Sequence, residues 1–322
     1  MAPILDVRGL RTAFPSPAGP VNVLDGVGFE VQDGEILGIV GESGSGKTMT
    51  ALSITGLLPR TATIQGGEIL YRGSNLLALD NRAMNRVRGE QISMIFQSPR
   101  ASLNPLYRVE TTLEQVLRMH RGLRGAAARR VAIDLLVDVG LPDPPRVLRR
   151  YPHELSGGMC QRVMIAYALA SSPSLLIADE PTTALDVTVQ LQIIQLLSRL
   201  RTEHGLTLIL ITHNLSVIAE LCDRVLVMYL GKIVEEGPVL EIFDRPRHPY
   251  TVGLLASRPT AHMKGTLAAI PGSVPDLRAR PGGCPFHPRC SYAQDVCAAD
   301  EPAREPAGES HYVACHFWRK MA

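Results

Sequence analysis

The chain lacks any run of about eighteen successive apolar residues, the length a membrane-spanning helix requires, so no such helix is expected. Its first stretch, Met1 to Phe14, has no apolar run of signal-peptide length and carries Asp6 early, so no secretion signal is expected either. Charge of one sign is also missing. Lys and Arg number 33 against 31 Asp and Glu, and a formal net charge of +2 gives no electrostatic case for nucleic acid as the main partner. Heptad runs and internal repeats are absent. What remains is a chain of 322 residues, 45% hydrophobic, long enough for two domains and a large core. It is expected to be soluble, or peripheral to a membrane through a partner.

Cysteine is scarce and unevenly placed. Cys160 and Cys222 are scattered, whereas Cys284, Cys290, Cys297 and Cys315 crowd the C-terminal end. Without a secretion signal, such a cluster points to metal binding rather than to disulfides.

Short β-rich apolar runs alternate with helical patterns, which predicts an α/β core with a largely parallel sheet. Val27–Val31, Ile36–Val40, Ile92–Phe96, Leu175–Ala178, Leu208–Thr212 and Val225–Tyr229 read as strands. Lys47–Leu57 and Val187–Leu200 read as helices. Ile4–Phe14 with Val21–Leu24 predicts a small antiparallel β element, and residues 106–150 predict a helical insertion broken at Pro142, Pro144 and Pro145. From Pro259 onward the composition shifts: eight of the 24 prolines and four of the six cysteines lie there. That segment cannot be regular helix or central strand for much of its length and needs a staple to fold.

Two elements carry phosphate chemistry. Gly41-Glu42-Ser43-Gly44-Ser45-Gly46-Lys47-Thr48 fits a P-loop, between a strand and a helix. Its glycines let backbone N–H groups wrap phosphate oxygens at a helix N-terminus, Lys47 reaches the β and γ phosphates, and Thr48 ligates Mg²⁺. Leu175–Ala178 then delivers Asp179 and Glu180 at a strand's carboxyl end, Asp179 for Mg²⁺ and Glu180 to take a proton from the attacking water. Leu155-Ser156-Gly157-Gly158-Met159 opens a further helical run, with Ser156 as N-cap and two glycines leaving N–H groups open. A second phosphate-binding surface in one P-loop chain implies a nucleotide sandwiched between two subunits.

With these residues in that order, the chain resembles ABC transporter nucleotide-binding domains over about residues 4 to 245, the LSGGM pentapeptide standing where the family signature does. The resemblance implies a P-loop NTPase core with an N-terminal antiparallel β element, a helical subdomain at about residues 106–170, and a Cys/Pro-rich C-terminal extension. The expected boundaries are 1–258 for the ATPase domain and 259–322 for the extension. It further implies that Gln97 is the Q-loop residue that senses Mg²⁺ and water and meets the membrane subunit. Ala184-Leu185-Asp186 becomes the D-loop, His213 the switch histidine at the γ-phosphate, and Phe14 the ring that stacks on adenine. Thr50 completes the ATP-binding set. Cys160 and Asn214 depart from the residues usual after SGGM and after the switch histidine.

Arg247-His248-Pro249-Tyr250-Thr251, then Gly253-Leu254-Leu255 and a Cys-rich end, resemble the C-terminal extension of oligopeptide and dipeptide importer ATPases, in their D-type member. This implies an ATPase on the cytoplasmic face of the inner membrane. Its partners would be a second, paralogous ATPase, two transmembrane permeases and an extracytoplasmic substrate-binding protein. A nickel or other small-solute importer is the runner-up. A soluble ABC ATPase of DNA repair or translation, or a binding module with a merely structural ATP site, are rivals of other classes. Cys284, Cys290, Cys297 and Cys315 suit an iron–sulfur cluster or structural zinc, and the lack of a close C-x2-4-C pair weakens the zinc reading. The resemblance implies a 4Fe–4S cluster, with His287, His311 and His316 as nearby substitutes. The basic residues Arg118, His120, Arg121, Arg124, Arg129 and Arg130 read as a solvated face of the insertion.

Overall fold

The computed structural model describes residues 2–183, 185–257 and 270–321. Ala184 of the expected D-loop and the expected domain boundary at 258/259 lie outside them. The chain divides into two compact units: residues up to Leu77 with those from Leu210 onward, and Ala78–Ile209.

The first unit holds an antiparallel sheet in the order Val21–Val31, Leu5–Phe14, Thr63–Tyr71, Ser74–Asn75. Val21–Leu24 and Val27–Val31, expected as separate pieces, form one strand because both stretches pair with Leu5–Phe14 across bulges. Thr63–Tyr71 escaped the sequence pattern because Gly66 and Gly67 interrupt it. Gly67 has φ +97, and a Cβ there would sit 2.6 Å from the Leu10 Cα, so only glycine lets the bulged strands approach.

The same unit carries a second group of strands. Ile36–Val40 runs parallel to Arg224–Tyr229, which pairs antiparallel with Lys232–Pro238, then Tyr312–Val313, then Glu305–Pro306. All five positions of Ile36–Val40 are buried, as a parallel strand covered on both faces requires. Lys232–Pro238 reads as polar, yet Glu235 and Glu236 are buried within it. Arg224 and Arg304 pair with Glu236, while Glu235 accepts from His311 and from the N–H groups of Arg247 and His248. Pairing is what makes burial of these carboxylates tolerable. Through Tyr312–Val313 the C-terminal residues add a strand beside Lys232–Pro238.

In the second unit Ile92–Ile95 lies parallel to Leu175–Asp179, another strand buried at all five positions. Helices follow at Asn81–Glu90, Val109–Arg121, Gly125–Asp138, Pro144–Leu148, Gly157–Leu169 and Val187–His204. The helical insertion is thus present as expected. Its proline break is the start of a helix, with Pro144 and Pro145 in the first turn and the Asp143 carboxylate accepting from Arg146 N–H. Thr207–Ile211, fully buried, straddles the boundary of the two units.

Candidate functional site

Gly41 leaves the end of the buried strand Ile36–Val40 with φ +154, and a Cβ on it would stand 2.2 Å from the Met228 carbonyl oxygen. No larger residue fits. The loop closes on itself through Ser45 N–H to Glu42 O and Thr50 N–H to Gly46 O. The helix Lys47–Thr55 begins after Gly46 without a side-chain cap, so its first N–H groups face outward at the positive end of the helix. Lys47 is buried and its Nζ donates to the carbonyls of Gly41 (2.7 Å) and Glu42 (3.0 Å), which arch over it. Ser43, Gly44 and Thr48 are exposed. Ser45 is buried, and its Oγ has no hydrogen-bond partner. Thr50 is turned into the core, where its hydroxyl donates to Gly46 O.

The adjoining loop starts with Thr212, whose N–H donates to Ile39 O beside the P-loop strand. His213 follows and is exposed. Asn214 caps the helix Leu215–Leu221 through its side-chain oxygen, which accepts from Ser216 N–H at 3.0 Å. Aspartate would cap the helix equally well, so nothing in the structure explains this departure from the family pattern. Phe14 ends its strand half-buried, paired with Val21.

In the second unit the strand Leu175–Asp179 ends on Asp179, only 2% exposed, and the next residue, Glu180, has φ +50. A positive φ at a non-glycine residue is costly and clusters at functional sites. The Glu180 carboxylate is held on one oxygen by Gln97 Nε2 (2.9 Å) and Thr183 Oγ1 (2.8 Å). Gln97 and Glu180, 83 residues apart in sequence, are therefore brought together. Thr183 had no sequence signal beyond its nearness to Glu180.

The signature helix Gly157–Leu169 is capped by Ser156, whose Oγ accepts from Met159 N–H at 3.3 Å. A Cβ on Gly158 would meet Val189 at 3.0 Å, so the helix Val187–His204 packs tightly there. Asp186 caps that second helix through Val189 N–H at 3.0 Å. Cys160 points inward, fully buried, its thiol donating to Pro152 O. Burial raises its pKa, and the nearby Arg100 opposes the rise only in part. A cation beside the signature thus remains in Arg100, which also donates to Leu155 O.

Cys284, Cys290, Cys297 and Cys315 line one small cavity of about 10 Å³ together with His248, Phe286, His287 and His316, all four thiols being free. Burial pushes the thiols of Cys284 and Cys315 up to about 11, with neighbouring sulfurs adding to it. His248 is 1% exposed and its Nε2 has no hydrogen-bond partner. Among the described residues no three His, Cys, Asp or Glu side chains stand in a metal-holding arrangement. His311, expected near the cysteines, is instead paired with the buried Glu235 at 2.8 Å. In the insertion, Arg129 pairs with Glu110, so the basic run there is partly neutralised.

The sequence missed one feature entirely. Glu42 of the P-loop is held from the C-terminal side, by Arg289 at its carboxylate and by the Tyr250 hydroxyl at its N–H.

The family description "ABC transporter" matches residues 24–183, and "Oligopeptide/dipeptide transporter, C-terminal region" matches residues 234–297. A relative in Brucella ovis, named as a peptide import ATP-binding protein, is 48% identical over 333 residues, 99% of this chain and 98% of its own length. One in Sinorhizobium fredii, named as a peptide ABC transporter ATP-binding protein, is 49% identical over 319 residues, 98% of this chain and 95% of its own. Among solved structures, a dimeric ATP-binding cassette in a post-hydrolysis state bound to ADP and Pi superposes with a TM-score of 0.67 at 29% identity, covering 73% of this chain and 98% of that one. A member of an ABC transporter complex from Clostridium perfringens gives 0.65 at 27% identity, covering 76% and 92%.

Proposed function

Since the chain belongs to the ABC transporter family, with the oligopeptide/dipeptide C-terminal region, we propose that it is the ATP-hydrolysing subunit that energises import of di- and oligopeptides. The observation that carries the chemistry is the Glu180 carboxylate, held by Gln97 and Thr183 directly after the buried Asp179. Held so, it is oriented as the general base for the attacking water. The P-loop residues Gly41, Ser43, Gly44 and Gly46 offer N–H donors, Glu42 and Ser45 shape the loop with theirs taken by the Tyr250 hydroxyl and Glu42 O, Lys47 supplies a cation, and Phe14 a ring for the adenine. His213 contacts the γ-phosphate.

Thr48, Gln97 and Asp179 are oxygen donors of the kind Mg²⁺ takes, and the unpartnered Ser45 Oγ marks the loop as built for a polar ligand. When bound, Mg²⁺ offsets the charge of the phosphates. Ser156, Gly157, Gly158 and Asp186 serve the ATP of a second ATPase subunit, so a lone chain hydrolyses slowly.

The membrane permeases meet the helical unit. There a groove of about 740 Å³ lies beside the exposed Tyr107 and Met119, with Leu106 80% exposed next to it. Among the described residues no helix is long and apolar enough to cross a membrane. Membership in a peptide-importer family puts the chain peripherally on the cytoplasmic face, with the substrate-binding protein on the other side of the permeases.

The four thiols lining one cavity are the donor set a 4Fe–4S cluster takes, with zinc as the alternative, and the cavity as described, about 10 Å³, must widen to admit either. The unpartnered Nε2 of His248 in the cavity's lining residues is a donor suited to a sulfur acceptor. The cluster's role is to pin the Pro-rich extension.

Replacing Glu180 with Gln is expected to slow phosphate release by about 10² to 10⁴-fold while MgATP binding persists. Phosphate release at the wild-type rate would remove Glu180 from its role.

A further inference from the structure

The P-loop residue Glu42 is engaged on three sides. Its carboxylate takes two hydrogen bonds from Arg289, Nη1 to Oε2 at 2.6 Å and Nη2 to Oε1 at 3.1 Å. Its N–H donates to the Tyr250 hydroxyl at 2.8 Å, and its carbonyl accepts from Lys47 Nζ at 3.0 Å. A two-point guanidinium–carboxylate pair fixes orientation as well as charge.

Arg289 is itself held firmly. Its side chain is 4% exposed, its Nε donates to Pro271 O at 2.8 Å, and its guanidinium lies over the rings of Tyr229 and Phe286. Tyr229, Tyr250 and Phe286 contact one another ring to ring at 4.7 to 5.3 Å. The arginine is thus a fixed post, and Glu42 is moored to it.

We propose that Arg289, assisted by Tyr250, is a positioning residue for the ATP site, so that the C-terminal extension sets the affinity of the P-loop for nucleotide. The inference rests on the P-loop reading of residues 41–48. Its physical content is twofold. Arg289 fixes the backbone turn at Glu42, and it neutralises a carboxylate that otherwise faces a polyanion. Without Arg289 the half-buried Glu42 charge is unpaired close to the phosphate-binding loop, which weakens binding of ATP more than it slows hydrolysis of ATP already bound. Cys290 follows Arg289 directly, and Phe286 lines the cysteine cavity, so the extension's staple and the nucleotide loop share one short segment.

The test titrates the full chain with MgATP and measures KM and kcat of the assembled transporter. Arg289→Gln is expected to raise the Kd and KM for ATP by about tenfold, with kcat changed less than about twofold. Removing the stranded charge as well, in Glu42→Gln/Arg289→Gln, is expected to recover much of that affinity, which a merely structural loss would not do. Arg289→Lys, with the charge kept and the two-point geometry lost, is expected to fall between wild type and Arg289→Gln, and it serves if the glutamine variant does not fold. Wild-type ATP affinity in the arginine variants overturns the proposal, as does a double variant no better than Arg289→Gln. Failure of the wild-type chain to bind MgATP at all would instead overturn the ATPase reading.

Discussion

At the scale of single residues, the proposed chemistry depends on how one carboxylate is held. Glu180 is fixed by Gln97 from a distant loop and by Thr183 from its own turn, on the same oxygen. Removing the Thr183 hydroxyl leaves Gln97 to orient the carboxylate alone. Thr183→Ala is therefore expected to lower kcat for ATP by about tenfold while KM stays near wild type, the pattern of an interaction that matters in the transition state. Steady-state phosphate release over a range of ATP concentrations checks it, and a rise in KM with unchanged kcat would assign Thr183 to binding instead. The acidic pair Asp179 and Glu180 is legible in sequence because an apolar strand ends on it. Thr183 is not, since an isolated threonine carries no pattern. Arg289 is hidden for a related reason: its partner Glu42 lies 247 residues away, and neither residue's neighbours hint at pairing.

At the scale of elements, strands whose residues face one environment were legible and strands that break the pattern were not. Ile36–Val40 and Leu175–Asp179 are apolar throughout because both faces are covered. Lys232–Pro238 buries two glutamates against arginines and a histidine, so its pattern reads as surface. Thr63–Tyr71 is interrupted by glycines that a bulge demands.

The C-terminal extension shows the same division. Its cysteines were visible as a cluster, and they do line one cavity, while the strand Tyr312–Val313 that ties it to the sheet was not foreseen. If the thiols carry a 4Fe–4S cluster, protein purified without oxygen is brown, contains about four iron atoms per chain and loses its visible absorbance in Cys284→Ser. A colourless anaerobic preparation with one zinc per chain would replace iron–sulfur by zinc.

At the scale of the whole molecule, the chain carries two sets of residues proposed to bind phosphate, the P-loop in one unit and the capped signature helix in the other. Two such surfaces in one chain are what a pair of ATPase subunits needs to close over nucleotide, and a solved cassette of this fold is a dimer bound to ADP and Pi. The order of motifs makes the cassette fold legible in the sequence. The mooring of the P-loop by the extension is not, because it depends on contacts between segments far apart in sequence. ATP hydrolysis by this chain is proposed to drive peptide import. The most direct measurement is uptake of labelled peptide into vesicles that hold the permeases, both ATPase subunits and the binding protein. Uptake is predicted to require ATP on the side of this chain and to stop in Glu180→Gln. Peptide uptake that continues at the wild-type rate in that variant would contradict the account.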